Sequence, residues 1–359
     1  MTRVMLACLF GGFLVFIQRI YSALKTNGIG KILNWAINKY EFKRKMLLLH
    51  SYPISVDIET TNKCLLRCIH CPRTYCNINE TGMELGFLSV EKFSEIIDKL
   101  RSVRRIILNG LGEPLLNPGI FKMVEFAHKK SFFVSFSTAA SFFSAEIEAG
   151  LRNHPPDLLN FSVDSGEKTS FEAIRCNHNF EKFMTNLQEI ITAVCKSGNN
   201  VEMQFHCCAM KLNAPYLTTV VELADRMKIK SISFSGLNFS YLQSVMDKLV
   251  LAEEDLVNVK EAIRVAARKG IQATFNRYHG IKTPGKVLCW YLWQQPYITW
   301  DGYVNICCGR PFSSLYSVGN IFKANSFMEI LNSPQMQALR QAIRTGNVPP
   351  VCSACPLAE

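Results

Sequence analysis

Cys64, Cys68 and Cys71 fall in one short stretch, Thr61-Asn62-Lys63-Cys64-Leu65-Leu66-Arg67-Cys68-Ile69-His70-Cys71-Pro72, spaced C-x-x-x-C-x-x-C. Soft thiolates select iron–sulfur clusters or zinc. Three thiolates on one loop hold three corners of a four-iron cluster and leave the fourth iron without a protein ligand. A structural zinc ion wants a fourth ligand close by, and Cys76 or His70 could supply it. A second signal is Asn109-Gly110-Leu111-Gly112-Glu113-Pro114. Glycines there let the backbone come close to a ligand, and a carboxylate can accept charge-assisted hydrogen bonds from an ammonium group. The third is Cys289, Cys307, Cys352 and Cys355, the last two forming a C-x-x-C. Four thiolates close a four-iron cluster completely, or make a tetrahedral zinc knuckle; Cys308 is an alternative to Cys307. His206-Cys207-Cys208 also resembles a ligand run. Neighbouring residues on a strand point to opposite faces, so these three read as core and local packing.

The elements that must position these residues alternate. Strand signals lie at 54–59, 105–108, 132–136, 158–163, 201–207 and 231–234. Helix signals lie at 89–100, 118–130, 145–152, 180–195, 215–227 and 253–268, with Leu217, Val220, Val221 and Ala224 at i, i+3, i+4 and i+7. Six βα units imply a parallel sheet with right-handed crossovers. Six are too few for a closed eight-stranded barrel, so an open, partial barrel is expected. The cysteine loop follows the first strand and the glycine–glutamate turn the second, where a (β/α) barrel carries its site. After Thr274 the pattern changes. Residues 282–286 are turn-rich, and Asp301-Gly302 joins two β-prone runs as a hairpin. A helix is expected from about Phe327 to Ile343.

The two cysteine sets, with the turn on the next strand, resemble the radical S-adenosylmethionine (radical SAM) superfamily with a C-terminal SPASM/twitch-type extension, over about residues 53–359. The resemblance implies an α/β chain: a partial (β/α)6 TIM-like barrel with a small C-terminal β-hairpin/helix iron–sulfur (twitch-like) domain. Residues 1–50 would be a hydrophobic and basic membrane-associating segment, 51–280 the core barrel and 281–359 the auxiliary-cluster domain. Cys64, Cys68 and Cys71 would hold a SAM-binding [4Fe–4S] cluster whose open iron chelates the amino and carboxylate groups of SAM. His70, before the third cysteine, takes the family's aromatic place by the adenine; Leu65 departs from the usual Asn. Asn109, Gly110, Gly112 and Glu113 match the turn that binds the methionine amino group. Ser137, Ser162, Asp164 and Gln204, on later strands, are candidates for the ribose hydroxyls or the carboxylate, and Arg175 for pairing with the carboxylate. Otherwise they are satisfied polar residues at a barrel mouth. Cys289, Cys307, Cys352 and Cys355 would hold one auxiliary [4Fe–4S] cluster, because a full SPASM domain has further cysteines after the C-x-x-C and this chain runs only to Glu359.

Reductive cleavage of SAM would give a 5′-deoxyadenosyl radical that takes a hydrogen atom from an unactivated carbon. The auxiliary cluster would take up the remaining electron, a net two-electron oxidation. Oxidation of a small-molecule or lipid-linked sugar alcohol is the first expectation; modification of a ribosomal peptide is the alternative, and a non-catalytic iron–sulfur or zinc scaffold stands against both. No catalytic acid or base stands out. A flavodoxin or ferredoxin would supply electrons.

Fourteen cysteines in 359 residues are too sparse for a disulfide scaffold, and seven lie in the ligand-like sets, so a reducing cytosol is expected. Apolar content of 48% allows a sizeable core. The net charge is +11, yet residues 1–50 carry eight Lys/Arg against Glu41 alone, +7 of it. A nucleic-acid binder would spread its basic charge over the folded domain, and none is expected to bind. The apolar run Val4–Ile17 beside this charge suggests a signal peptide, a weak span reaching Leu24, or an interfacial anchor. Attachment of residues 1–24 to the anionic cytoplasmic face is the expectation, bringing the barrel mouth near the membrane.

Overall fold

The structure, a computed structural model, describes residues 29–75, 84–237, 248–276, 289–352 and 355. The run Val4–Ile17, Cys8, Cys76 and the turn at 282–286 lie outside the described residues.

Seven strands pair in parallel in chain order: Ser55–Ile58 (β1), Arg105–Ile107 (β2), Phe133–Thr138 (β3), Leu158–Ser162 (β4), Glu202–Cys208 (β5), Ser231–Ser235 (β6) and Gln272–Asn276 (β7). Between them run the helices Val90–Lys99, Ile120–Lys129, Ala145–Asn153, Phe180–Lys196, Leu217–Arg226 and Leu256–Arg268. Three of the six begin at a side chain that caps their free backbone N–H groups. Ser89, Ser144 and Asn179 accept from Lys92 N, Ile147 N and Lys182 N. The helix 180–196 buries Phe183, Leu187, Ile190, Ile191 and Val194, an i, i+4, i+7, i+8, i+11 stripe.

The six expected βα units are therefore present, followed by a seventh strand that the sequence reading did not contain. β7 is a sheet edge with Gln272, Thr274 and Asn276 exposed, so it lacks the apolar run of a buried strand. A short helix at Lys168–Ile174 was also not foreseen. The expected helix 327–343 is two, Phe327–Leu331 and Pro334–Thr345. Pro334 has no N–H to continue the first helix, and Ser333 Oγ caps the second by accepting from Met336 N at 3.3 Å.

The C-terminal hairpin joins the same sheet. Tyr297–Ile298 (β8) pairs in parallel with the free side of β1; Tyr303–Asn305 (β9) and Ser317–Asn320 (β10) continue antiparallel. The Asp301-Gly302 turn needs its glycine, with φ at +87° and the Phe322 ring 2.3 Å from where a Cβ would stand.

The two sheet faces differ in chemistry. Leu159, Phe161, Phe205, Cys207, Ile232 and Phe234 face the helices and are at most 1% exposed. The other face carries polar rows: Asn160 beside Gln204, then Ser162, His206, Ser233 and Thr274, then Cys208, Ser235 and Asn276. A closed TIM barrel fills this space with apolar layers. Here it is a concave polar surface, open to a ligand.

Candidate functional site

The cysteine loop leaves the carboxyl end of β1 and is pinned on both sides. Thr61 Oγ1 donates to Gly86 O (2.7 Å), Arg73 Nη2 to Cys64 O (2.7 Å) and Thr74 Oγ1 to Cys68 O (2.8 Å). Arg67 N donates to Cys176 O and Ile69 N to Ile174 O, each at 3.0 Å. Cys64, Cys68 and Cys71 pack together with Leu66 and Ala139. Burial raises all three thiols, Cys68 to about 12. The metal-free thiols are thus protonated at neutral pH, and cluster binding must release protons.

The glycine–glutamate turn sits directly against this loop. Gly112 N donates to Thr61 O (3.1 Å) and Glu113 N to Lys63 O (2.9 Å). A Cβ on Gly112 would stand 2.4 Å from Thr61 O and 2.5 Å from Lys63 O; one on Gly110 would stand 2.3 Å from Glu59 Cγ. These glycines therefore serve the approach of one loop to another. Glu113 is buried; its Oε2 accepts from Ala139 N (2.8 Å) and its Oε1 from Leu115 N (3.4 Å). Burial raises its pKa against those hydrogen bonds.

Asp164, at the end of β4, gathers a buried group. Arg175 Nη2 stands 2.7 Å and His70 Nε2 3.8 Å from its Oδ2, while Cys208 N donates to Oδ1 (2.9 Å). Burial pushes Asp164 up, but Arg175 and His70 more than offset it and hold it below the ordinary carboxylate range. Burial lowers His70 to about 4, so its ring is neutral. Arg175, the candidate partner of a cofactor carboxylate, thus has a protein carboxylate beside it. Asn109 and Ser137 brace β2 against β3 reciprocally: Ser137 N donates to Asn109 Oδ1 (2.7 Å) and Asn109 Nδ2 to Ser137 Oγ (3.1 Å). Ser162 shares a row with His206. Gln204 lies one row lower, toward the amino ends, accepting from Ser231 Oγ at 3.3 Å.

The second set forms at the opposite end of β1. Cys289, Cys307 and Cys352 all lie within electrostatic reach of one another or of Cys355, and Cys308 feels both Cys355 and Asp57. Burial holds Cys289 up at about 12 and Cys352 at about 11, and raises Cys307 well above the ordinary thiol value.

Both donor sets fit the groups that the motifs imply. The first offers three soft thiols beside buried polar atoms that lack hydrogen-bond partners among the described residues: His70 Nδ1 and Arg175 Nε. The second offers four thiols and so can ligate every corner of a cluster. No three His, Cys, Asp or Glu side chains among the described residues close on a single ion. Cluster ligands sit on separate irons and stand farther apart.

The sequence expectation for His206, Cys207 and Cys208 is core and local packing, with neighbours on opposite faces. Cys207 is core, at 0% exposure, while His206 and Cys208 lie on the polar face, and His206 Nε2 stands 3.0 Å from Ser235 Oγ. The sequence reading passed over Asp57, whose buried carboxyl lies on β1 in register with Ile107 and Tyr297 and accepts from Gln295 Nε2 at 3.0 Å. Burial pushes Asp57 up to about 7. Nothing in the linear sequence separates it from any other strand aspartate; only the sheet shows that it sits between the two cysteine sets.

Comparison with known proteins follows the same division. The family model of the radical SAM superfamily matches residues 58–203, and that of the SPASM iron–sulfur cluster-binding domain matches residues 289–356. Mycofactocin maturase MftC of Mycobacterium tuberculosis is 28% identical over 143 residues, 39% of this chain and 35% of that protein. The AdoMet-dependent heme synthase of Methanosarcina barkeri is 23% identical over 185 residues, 51% of this chain and 50% of that one. The chain thus spans half or less of the length of these relatives. The crystal structure of Streptococcus suis SuiB bound to S-adenosylmethionine shares the fold, with a TM-score of 0.67 at 12% identity, over 99% of this chain and 83% of that one. Two cysteine sets at opposite ends of one strand, each within its own family match, carry the assignment: the chain belongs to the radical SAM superfamily, has a C-terminal SPASM domain, and takes [4Fe–4S] clusters and S-adenosylmethionine as cofactors.

Proposed function

We propose that this enzyme removes two electrons from a substrate held in the polar concavity between the two cysteine sets. The carrying observation is that placement: one thiol set at the carboxyl end of β1, the other at the amino end of β8, and a polar concave face between them. When bound, SAM on a cluster at Cys64, Cys68 and Cys71 supplies hydrogen-atom abstraction, and a cluster at Cys289, Cys307, Cys352 and Cys355 supplies an electron acceptor.

The chain's own residues do the rest. Glu113 would accept hydrogen bonds from the cofactor's ammonium group, His70 would lie by its adenine, and Asp164 holds Arg175 where it could meet the carboxylate. Ser137, Ser162 and Gln204 line the concavity. Oxidation at a C–H beside oxygen or nitrogen sheds a hydrogen atom, an electron and a proton. The proton goes to Asp57, a buried carboxyl on the concave face with no ion-pair partner among the described residues, raised by burial to about 7. A scaffold would have no use for the buried Glu113 beside Cys64.

Two substrate classes fit. A peptide side chain is supported by the likeness to a mycofactocin maturase over two-fifths of this chain; a small-molecule or sugar alcohol uses the same concavity and the same base. A flavodoxin or ferredoxin would supply the electrons in a reducing compartment. We also assign the chain to an anionic membrane surface on the charge of residues 1–50. Among the described residues no helix is long and apolar enough to cross a membrane.

Iron counting tests the two-cluster reading. Anaerobic reconstitution should give about eight irons per chain, by the stoichiometry of two [4Fe–4S] clusters. Joint replacement of Cys64, Cys68 and Cys71 by Ala should leave about four. Zinc at the C-terminal set under iron-replete anaerobic conditions would refute the electron-acceptor role.

A further inference from the structure

Residues 29–43 form a helix that buries polar residues and exposes an apolar row. Its inward side carries Asn34, Asn38 and Glu41, at most 8% exposed, beside Phe42, whose ring meets Trp293 edge-on at 5.8 Å. Asn34 Nδ2 and Asn38 Nδ2 donate to Tyr52 O, Asn38 Nδ2 also to Trp293 O, and Glu41 Oε1 accepts from His50 N. Its outward side is apolar. Ile29, Leu33, Ile37 and Tyr40, spaced four, four and three residues, are 72%, 56%, 46% and 57% exposed. A surface helix of a globular protein turns such a stripe toward the core; an aligned row left outside marks a contact surface.

Charge selects what covers it. Lys39, Lys43, Arg44 and Lys45 border the stripe, and the only acidic residue from 29 to 45, Glu41, is turned inward. A second copy of this chain would bring eight of these cations face to face. An anionic bilayer matches both features, since an interfacial helix buries its apolar face at the headgroup boundary while Lys and Arg reach the phosphates.

The helix lies at the amino ends of the strands. It bonds Tyr52 just before β1 and Trp293 just before β8, and Lys31 Nζ donates to Ser131 O just before β3 (2.8 Å). The loop of Cys64, Cys68 and Cys71 follows the carboxyl end of β1, on the other side of the sheet ends. The expectation that attachment brings the barrel mouth near the membrane therefore reverses for this helix. We propose that the Ile29–Tyr40 face seats the enzyme on an anionic membrane with its cofactor mouth turned to the aqueous side, so that substrate arrives from water. This deepens the membrane reading above and does not depend on the chemistry of the clusters.

The test uses the full-length, cluster-loaded protein in flotation with vesicles of phosphatidylcholine alone or mixed with phosphatidylglycerol. Wild type should float with the anionic vesicles, and Leu33→Glu/Ile37→Glu should float at least tenfold less, with unchanged iron content and circular dichroism. Both positions are exposed, so the fold should tolerate the change; Lys39→Gln/Lys43→Gln, which leaves the stripe intact, should also weaken binding to the anionic vesicles only. Unchanged flotation of Leu33→Glu/Ile37→Glu would overturn the proposal. If Leu9→Glu/Phe13→Glu alone abolished binding, the general membrane reading would stand and this face would not be its seat. If Leu33→Glu/Ile37→Glu converted a dimer to a monomer with flotation unaffected, the occupant would be a second copy and the proposal would fall.

Discussion

Replacing Asp57 by Asn should stabilise the protein from neutral pH upward and slow the proposed substrate oxidation. The carboxyl is 4% exposed, accepts one hydrogen bond from Gln295, and is raised by burial from 3.8 to about 7. Between those two values the native state keeps a proton that the unfolded chain has lost. Stability therefore falls as pH rises through that window, and is level above it. Three pKa units at 1.36 kcal/mol each make the ionised carboxylate a burden of about 4 kcal/mol above pH 7. Asn keeps the shape and the acceptor oxygen but carries no charge. The wild type and Asp57→Asn should thus have nearly equal urea midpoints near pH 4. They should diverge steadily to pH 7 and stay apart above it, the variant being more stable by up to about 4 kcal/mol. Unfolding of the cluster-free, thiol-reduced chain at a series of pH values reads this directly, because every other titrating group cancels in the difference. The groups facing Asp57, Tyr297 and Cys308, are themselves raised by burial and stay neutral across this range. A gap that does not change with pH would refute the buried-charge argument. In turnover, the variant should still cleave S-adenosylmethionine but should oxidise substrate about 100-fold more slowly or worse, the usual cost of a lost general base. Equal losses in both activities would point to damage at the clusters instead.

Three further outcomes follow from the site. Glu113→Ala should weaken S-adenosylmethionine binding about 10- to 100-fold, the worth of a charge-assisted hydrogen bond, with both clusters assembled; calorimetry showing unchanged affinity would exclude an ammonium contact. Gly112→Ala should lose the first cluster and leave the second, seen as a fall of about four irons, because its Cβ meets backbone atoms of Thr61 and Lys63 that cannot rotate away. Asp164→Asn should strand Arg175 as a buried unpaired cation and lower stability by about 3–5 kcal/mol, read as an early unfolding transition; a neutral result would mean that Arg175 finds another partner.

The cysteine spacings and the Gly112-Glu113 turn were legible because thiolate number and glycine placement are local facts. The six βα units were legible from alternating apolar periods. What escaped was decided by neighbours far away in sequence. β7 reads Gln272-Ala273-Thr274-Phe275-Asn276, a half-polar edge strand in which only Ala273 and Phe275 are apolar, too short a signal to announce a strand. β8 has two residues, and only its pairing with β1 makes the C-terminal hairpin part of the barrel sheet. The apolar period of Ile29, Leu33, Ile37 and Tyr40 was visible, but a period reveals that a helix has two faces and not which one turns inward. Asn34, Asn38 and Glu41 settle that, through backbone carbonyls and a serine that lie next to them only after folding.

A radical enzyme must hold its target carbon still and keep other hydrogen donors away, which favours a small, dry reaction centre. The concavity is nevertheless lined by Ser162, His206, Ser233, Ser235 and Thr274 rather than by Leu and Val. Hydroxyls and an imidazole gain little from apolar cargo, and leaving them unpaired against a hydrocarbon chain would cost about 1–3 kcal/mol each. They suit a substrate dense in hydrogen-bonding groups, such as a peptide backbone or a sugar. Together with a mouth that faces away from the Ile29–Tyr40 seat, this argues against a lipid tail in the site. On the proposed seating, the membrane would decide where the protein works and the polar concavity what it works on.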